Sequence, residues 1–141
     1  MFVLDSDHVT LLQRATSAEA QRLRFRLSSI RPDEKFVTVI TFEEQLRGWL
    51  AQIARSKSPL QQMEPSRRLE VLLKYYSAVN ILSFDERVVE KFQELKAARI
   101  RIGTMDLKIA AITLAHDATL LSRNLRDFSK VPGLKVEDWS V

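Results

Sequence analysis

Cysteine is absent from this 141-residue chain, which removes disulfides, thiolate zinc sites and thiol nucleophiles. Histidine occurs twice, at His8 and His116; two cannot build a histidine-rich metal centre, so any metal must be held mainly by oxygen. Glycine is scarce, with three residues beside four prolines. That is roughly a third of the usual glycine share and argues against a turn-rich all-β sandwich or barrel. No apolar run reaches about eighteen residues, so no membrane span is expected. Phe2-Val3-Leu4 meets Asp5 too soon for the apolar core of a secretory leader. A cytoplasmic chain is expected.

What is present suits one compact domain over residues 1–141. The composition is 45% hydrophobic, enough for a real core and too short a chain for two. Basic residues number 22 and acidic 18, a net charge of +4, with a pI near 9.6. That balance leans toward polyanionic partners.

The apolar pattern changes period repeatedly. Phe2-Val3-Leu4 reads as a short buried strand. Val9, Leu11 and Leu12 begin a short helix, and Ala18, Leu23, Phe25 and Leu27 a second that reaches Ser28. The β-branched run Phe36–Ile40 predicts a strand, and from Thr41 the fourfold spacing of Phe42, Leu46, Leu50 and Ile53 predicts a helix. Ser56–Pro59 reads as its exit loop, and Pro65 as the opening of a helix through Tyr76. Ile81–Ser83 is a third strand, followed by a helix that Asp85 caps. Another helix follows Asp106, Thr119–Ser122 is a fourth strand, and Leu134–Val136 a fifth. Alternating strands and helices imply an α/β fold, a central parallel sheet of about four to five strands with helices on both faces.

The acids fall at particular places. Asp5 ends the first strand, Glu44 lies three residues past Thr41, Asp106 opens a helix, and Asp127 follows the fourth strand together with Asn124. In a parallel sheet, strand-to-helix junctions line the carboxyl edge, where ligands bind; Asp106 is the exception, at a helix start after a loop, and is expected at the same edge only if that helix carries it there. Clustered carboxylates repel one another unless protonated or metal-bound, and Mg²⁺ or Mn²⁺ accepts such oxygens while bridging to phosphates. Without these four acids, 22 basic residues face 14 acidic ones, a basic body that suits a nucleic-acid backbone. Each acid also has a local reading. Thr41-Phe42-Glu43-Glu44 fits a capping box, and Asp106 and Asp127 fit helix caps. Asp5, closing a buried strand, has no such explanation.

The same residues carry a resemblance. Leu4-Asp5-Ser6-Asp7-His8 resembles the opening motif of PIN-domain nucleases, especially VapC-type toxins. Ile40–Gly48 resembles their second motif and matches Glu44 to its acid; Ile102–Ala111 matches Asp106 to the third. Leu121-Ser122-Arg123-Asn124-Leu125-Arg126-Asp127-Phe128 resembles the fourth, and Val131-Pro132-Gly133-Leu134 with Glu137-Asp138-Trp139 the close. Gln45 stands where the family usually has Leu, which leaves Glu43 or Glu44 as the second acid. Ser122 replaces a Thr, and Asn124 stands where some relatives have an acid.

The resemblance implies a PIN-like fold and an endoribonuclease using Mg²⁺ or Mn²⁺, homodimeric, and inhibited by a small cognate antitoxin. Asp5, Glu44, Asp106 and Asp127 would be metal ligands, Asn124 would orient the second metal or a water, and Ser122 would hold a carboxylate or phosphate. Arg123 and Arg126, flanking the acids, are the candidates for RNA contact.

Other residues allow two readings. His8 invites a general-base role that metal-activated water does not need, and His116 suits the end of its helix. Arg22, Arg24, Arg26 and Arg31 read as a solvated helix face or an RNA contact. Trp49, Tyr75 and Tyr76 read as core or dimer packing, or as base-stacking platforms. Two rival functions remain at this level. One is a haloacid-dehalogenase-like phosphatase with Asp5 as nucleophile and Asp7 as acid/base, although its lysine and later acid pair have no counterpart. The other is a PIN module that binds RNA or a partner without cutting.

Overall fold

The computed structural model describes residues 1–14 and 16–141. Five strands, β1 (Phe2–Leu4), β2 (Lys35–Thr38), β3 (Asn80–Leu82), β4 (Thr119–Leu121) and β5 (Lys135–Glu137), form one sheet. Every adjacent pair is parallel, in the order β3-β2-β1-β4-β5. Among the described residues, seven α-helices connect them: α1 (Ser6–Arg14), α2 (Ala18–Ser28), α3 (Val39–Arg55), α4 (Pro59–Ala78), α5 (Glu86–Ala97), α6 (Thr104–Ala115) and α7 (Leu125–Phe128). The expected parallel α/β architecture is therefore present.

Successive strand residues point to opposite faces, and two cores follow from that alternation. Val3 and Leu120 pack with α5 and α6 through Val88, Leu95, Ile109 and Ile112. Leu4 and Leu121 pack on the other face against Val9, Leu23, Leu27, Leu72 and Tyr76 of α1, α2 and α4. Both faces are covered, so the strands need no polar alternation. Helix α6 is buried at Leu107 and from Ile109 to Thr113, as a helix between layers must be.

Several element boundaries lie a residue or two from the sequence expectation, and two differences have a visible cause. The strand predicted over Phe36–Ile40 ends at Thr38, whose hydroxyl accepts the Thr41 amide at 3.1 Å and caps α3. That cap outweighs the β-propensity of Val39 and Ile40. Helix α4 begins at Pro59 behind the Ser58 cap, and Pro65 sits buried inside it rather than opening it. Both prolines have a helical φ, but only Pro59 has a capping residue before it. A turn with Gly133 at φ 78° leads into β5, a conformation that costs glycine little.

The strand order reverses direction at β1. From there the chain builds outward through β2 and β3 on one side, and β4 and β5 lie on the other. The crevice between the carboxyl ends of β1 and β4 is thus the topological switch point.

Candidate active site

Leu4 pairs in register with Leu121, so the next residues, Asp5 and Ser122, emerge together at the switch point. Ser122 Oγ donates to Asp5 Oδ2 at 2.7 Å, and Asp5 Oδ1 accepts the Ser6 amide at 2.8 Å. The same Ser122 oxygen accepts the Asn124 amide at 3.0 Å. Asn124 Nδ2 then reaches Asp127 Oδ2 at 3.1 Å and Asp106 Oδ2 at 3.4 Å. One chain of hydrogen bonds therefore joins Asp5, Ser122, Asn124, Asp106 and Asp127.

The capping readings of the acids fail. Thr41 lies inside α3, capped by Thr38, so Glu44 is not part of a capping box. Gly103 precedes α6 without a side-chain cap, leaving Asp106 in the first turn. Asn124, not Asp127, caps α7 through its side-chain oxygen.

Glu43 and Glu44 separate on α3. Glu43 pairs with Arg47 at 2.6 Å on the surface. Glu44 turns inward, where Oε1 is buried with no hydrogen-bond partner. An orphaned buried carboxylate oxygen is costly and calls for a cation or a proton.

The electrostatics bear this out. Burial first, then Asp7 and Asp106, push the Asp5 carboxyl up to about 7, against the pull of its bonds to Ser122 and Ser6. Burial followed by Asp106 and Glu43 raises Glu44, with Ser6 opposing. Burial followed by Asp127 and Asp7 raises Asp106. Asp127 is instead lowered, chiefly by its bond from Asn124 and then by Lys130, which stands 3.4 Å away. Asp106 thus repels both Asp5 and Glu44 in a part-buried setting, within a chain of net charge +4. Among the described residues no three acidic or histidine side chains already close around one point.

Asp7 is committed elsewhere. Its Oδ1 lies 2.8 Å from His8 Nδ1, and its Oδ2 accepts the Arg123 amide at 2.9 Å. Bound on both oxygens, it is poorly placed as the acid/base of a phosphatase. His8 is fully buried and is not a solvent-facing base. His116 is the C-cap of α6 beside Arg87; burial and then Arg87 lower its pKa, overriding the stabilisation expected at a helix end.

Arg22 Nε donates to the Ser140 carbonyl at 2.9 Å, and the Arg26 guanidinium stacks 4.6 Å from the Trp139 ring. Arg24 donates to the Leu12 carbonyl, and Arg31 pairs with Asp33 and Glu34. The basic stretch is therefore neither a bare solvated face nor one continuous patch, since much of it ties down the chain. Tyr75 and Tyr76 pack against each other, Tyr76 also against Phe42, and Trp49 lies under Arg14 at 4.5 Å. Arg123 and Arg126 are exposed at the rim. The bonds of Asp7 and His8 are what the sequence reading missed; the one local signal is that both follow Asp5 in the first turn of α1.

The chain is 26% identical to the tRNA(fMet)-specific endonuclease VapC of Salmonella typhimurium, over 98% of this chain and 97% of that protein. Its fold matches the crystal structure of DNA-bound VapBC from Salmonella typhimurium with a TM-score of 0.78, at 23% identity over 98% of this chain and 97% of that one. It also matches a toxin–antitoxin complex from Klebsiella pneumoniae with a TM-score of 0.66, at 22% identity over 99% and 98%. No helix among the described residues is long and apolar enough to cross a membrane. Residues 3–134 match the model of the PIN domain; with its acids gathered at the β1/β4 switch point, this chain belongs to the PIN-domain family.

Proposed function

We propose that this chain is a divalent-metal-dependent endoribonuclease, the toxin of a toxin–antitoxin pair. The observation that carries the reading is the buried, unpartnered Glu44 Oε1 beside the hydrogen-bonded row Asp5–Ser122–Asn124–Asp106, where Asp106 acts on both Asp5 and Glu44. A cation relieves both the orphaned oxygen and the repulsion. The donor set is all hard oxygen, which fits Mg²⁺ or Mn²⁺. Asp5, Glu44 and Asp106 would hold the ion, with Asp127 on the open side. When bound, such an ion lowers the pKa of an attacking water and offsets charge developing on the scissile phosphate.

The protein's own contribution is positional. Ser122 and the Ser6 amide fix both oxygens of Asp5. Asn124 steadies Asp106 and Asp127. Arg123 and Arg126 draw the RNA backbone to the rim. Similarity to an endonuclease named for a tRNA and to a toxin–antitoxin complex supports RNA as substrate and a small protein antitoxin as partner. That antitoxin would place a basic side chain among the acids, where a cation's charge is wanted. Homodimerisation and a cytoplasmic setting belong to the same reading.

The test is the chemistry of the product ends. Cleavage should stop with EDTA, return with Mn²⁺ or Mg²⁺, and leave 5′-phosphate and 3′-hydroxyl ends that ligate without repair. A metal-free ribonuclease would use the 2′-hydroxyl with two acid/base groups. Here His8 is buried, and His116 closes α6 about 15 Å along the helix axis from Asp106 in its first turn. Recovery of 2′,3′-cyclic phosphate ends in EDTA overturns the metal mechanism. Expression of the chain alone should arrest growth, and a co-expressed cognate antitoxin should restore it; unimpaired growth at high soluble expression counts against the toxin role.

A further inference from the structure

The roles assigned above leave a fully buried histidine without a purpose. His8 is 0% exposed. Its Nε2 accepts the backbone amide of Trp139 at 3.2 Å, and its Nδ1 stands 2.8 Å from Asp7 Oδ1. The Trp139 amide can only donate, so Nε2 is bare and the ring proton sits on Nδ1, aimed at Asp7. Asp138 Oδ1 lies 3.7 Å from Nε2 but is taken by the Ser140 amide and hydroxyl at 2.8 and 2.6 Å. Asp7 passes the constraint on: its Oδ2 accepts the Arg123 amide at 2.9 Å and lies 3.3 Å from Ser122 Oγ, the atom that binds Asp5.

We infer that His8 is a positioning residue for the candidate site, relaying the anchored C-terminal segment through Asp7 to the Ser122–Asn124 turn and so to Asp5. This rests on the nuclease reading and deepens it. The relay has a firm end to pull on. Arg22 holds the Ser140 carbonyl, Arg26 stacks on Trp139, Trp139 Nε1 donates to Glu137 at 2.7 Å, and the Phe2 ring meets the Trp139 ring at 4.8 Å. The Nδ1–H fixes which way the Asp7 carboxylate faces. That orientation seats the Arg123 amide, and with it the turn whose serine holds Asp5. A group one step behind a ligand, as Ser122 stands behind Asp5, fixes its orientation and basicity, worth typically ten- to a hundredfold in metal affinity, and His8 acts on that group through Asp7.

Two substitutions split the two bonds. His8→Asn keeps a donor where Nδ1 stands but falls short of Trp139. His8→Gln reaches Trp139 as an acceptor but offers nothing to Asp7. Both empty part of a buried site and should lower the melting temperature, so melting alone distinguishes nothing. Three measurements do: the Arg123 amide resonance, Mn²⁺ affinity by calorimetry, and kcat against KM on a cleaved RNA. His8→Gln should shift the Arg123 amide, weaken Mn²⁺ binding by up to about tenfold, and lower kcat with KM nearly unchanged. His8→Asn, which keeps the bond to Asp7 and loses only the anchor at Trp139, should change all three in the same direction but by less. Equal effects of the two variants, no effect of either, or the reverse order overturns the relay.

The Arg123 resonance needs no catalysis, so failure of the wild type to cut RNA would strike the nuclease reading while leaving the relay testable. Should neither variant fold, the imidazole nitrogen shifts of wild-type His8 decide. A proton on Nδ1 with Nε2 bare upholds the relay, and the opposite tautomer overturns it.

Discussion

Ser122 donates its hydroxyl to Asp5 across 2.7 Å, joining residues 117 positions apart in the chain. The bond follows from register: Leu4 lies opposite Leu121, so whatever follows each strand must meet at the carboxyl edge. Once Asp5 is ionised, the bond is of the stronger, charge-assisted kind.

Ser122→Ala should therefore destabilise the fold. It leaves Asp5 one partner short and the Asn124 amide without its acceptor in a buried setting, a cost of about 1–3 kcal/mol. Urea denaturation should show a lower midpoint with an unchanged slope. An unmoved midpoint would mean that the bond contributes no net stability.

The raised Asp5 carboxyl sets a pH dependence. With its pKa moved from 3.8 to about 7, the folded chain holds a proton there that the unfolded chain has lost. Stability from this group falls as pH rises through that window, and the loss is complete above it. Glu44 and Asp106, also raised, act in the same direction. Asp5→Asn should abolish cleavage yet gain on wild type between pH 5 and pH 8 when both are unfolded in EDTA. A stability difference identical at the two pH values would refute the raised carboxyl.

Glu43 and Glu44 should behave oppositely. Glu43→Gln breaks a surface pair with Arg47, worth less than about 1 kcal/mol, and should leave cleavage nearly intact. Glu44→Gln removes a buried charge facing Asp106 and should reduce Mn²⁺ binding and cleavage at least about tenfold. Equal effects in a metal titration would contradict the assignment of Glu44.

Arg123→Ala and Arg126→Ala should weaken RNA binding through charge alone. For each phosphate no longer neutralised, the slope of log affinity against log salt should become shallower by about 0.7 for single-stranded RNA. A loss of affinity with an unchanged salt slope would mean that these arginines act through the fold of the turn.

The layered architecture was legible in the sequence because its signals are local. Buried strands such as Phe2-Val3-Leu4, the apolar period of the helices and the acids just beyond the strands are all written within a few residues of one another. Asp5 and Asp127 could be singled out on that basis, and Asp106 as an acid at a helix start. The direction of a single helical side chain could not: neighbours Glu43 and Glu44 share a composition, and only the packing of α3 sends one to solvent and the other toward Asp106.

The start of α3 turned on one hydrogen bond, from the Thr41 amide to the Thr38 hydroxyl, rather than on the β-branched run around it. The employment of Arg22, Arg26 and His8 depended on a C-terminal segment more than a hundred residues away. Periodicity reports how a residue partitions between water and core, and that is settled by the residue and its near neighbours. A buried polar group must find a specific partner, and that partner is delivered by strand order and register, which no local pattern encodes.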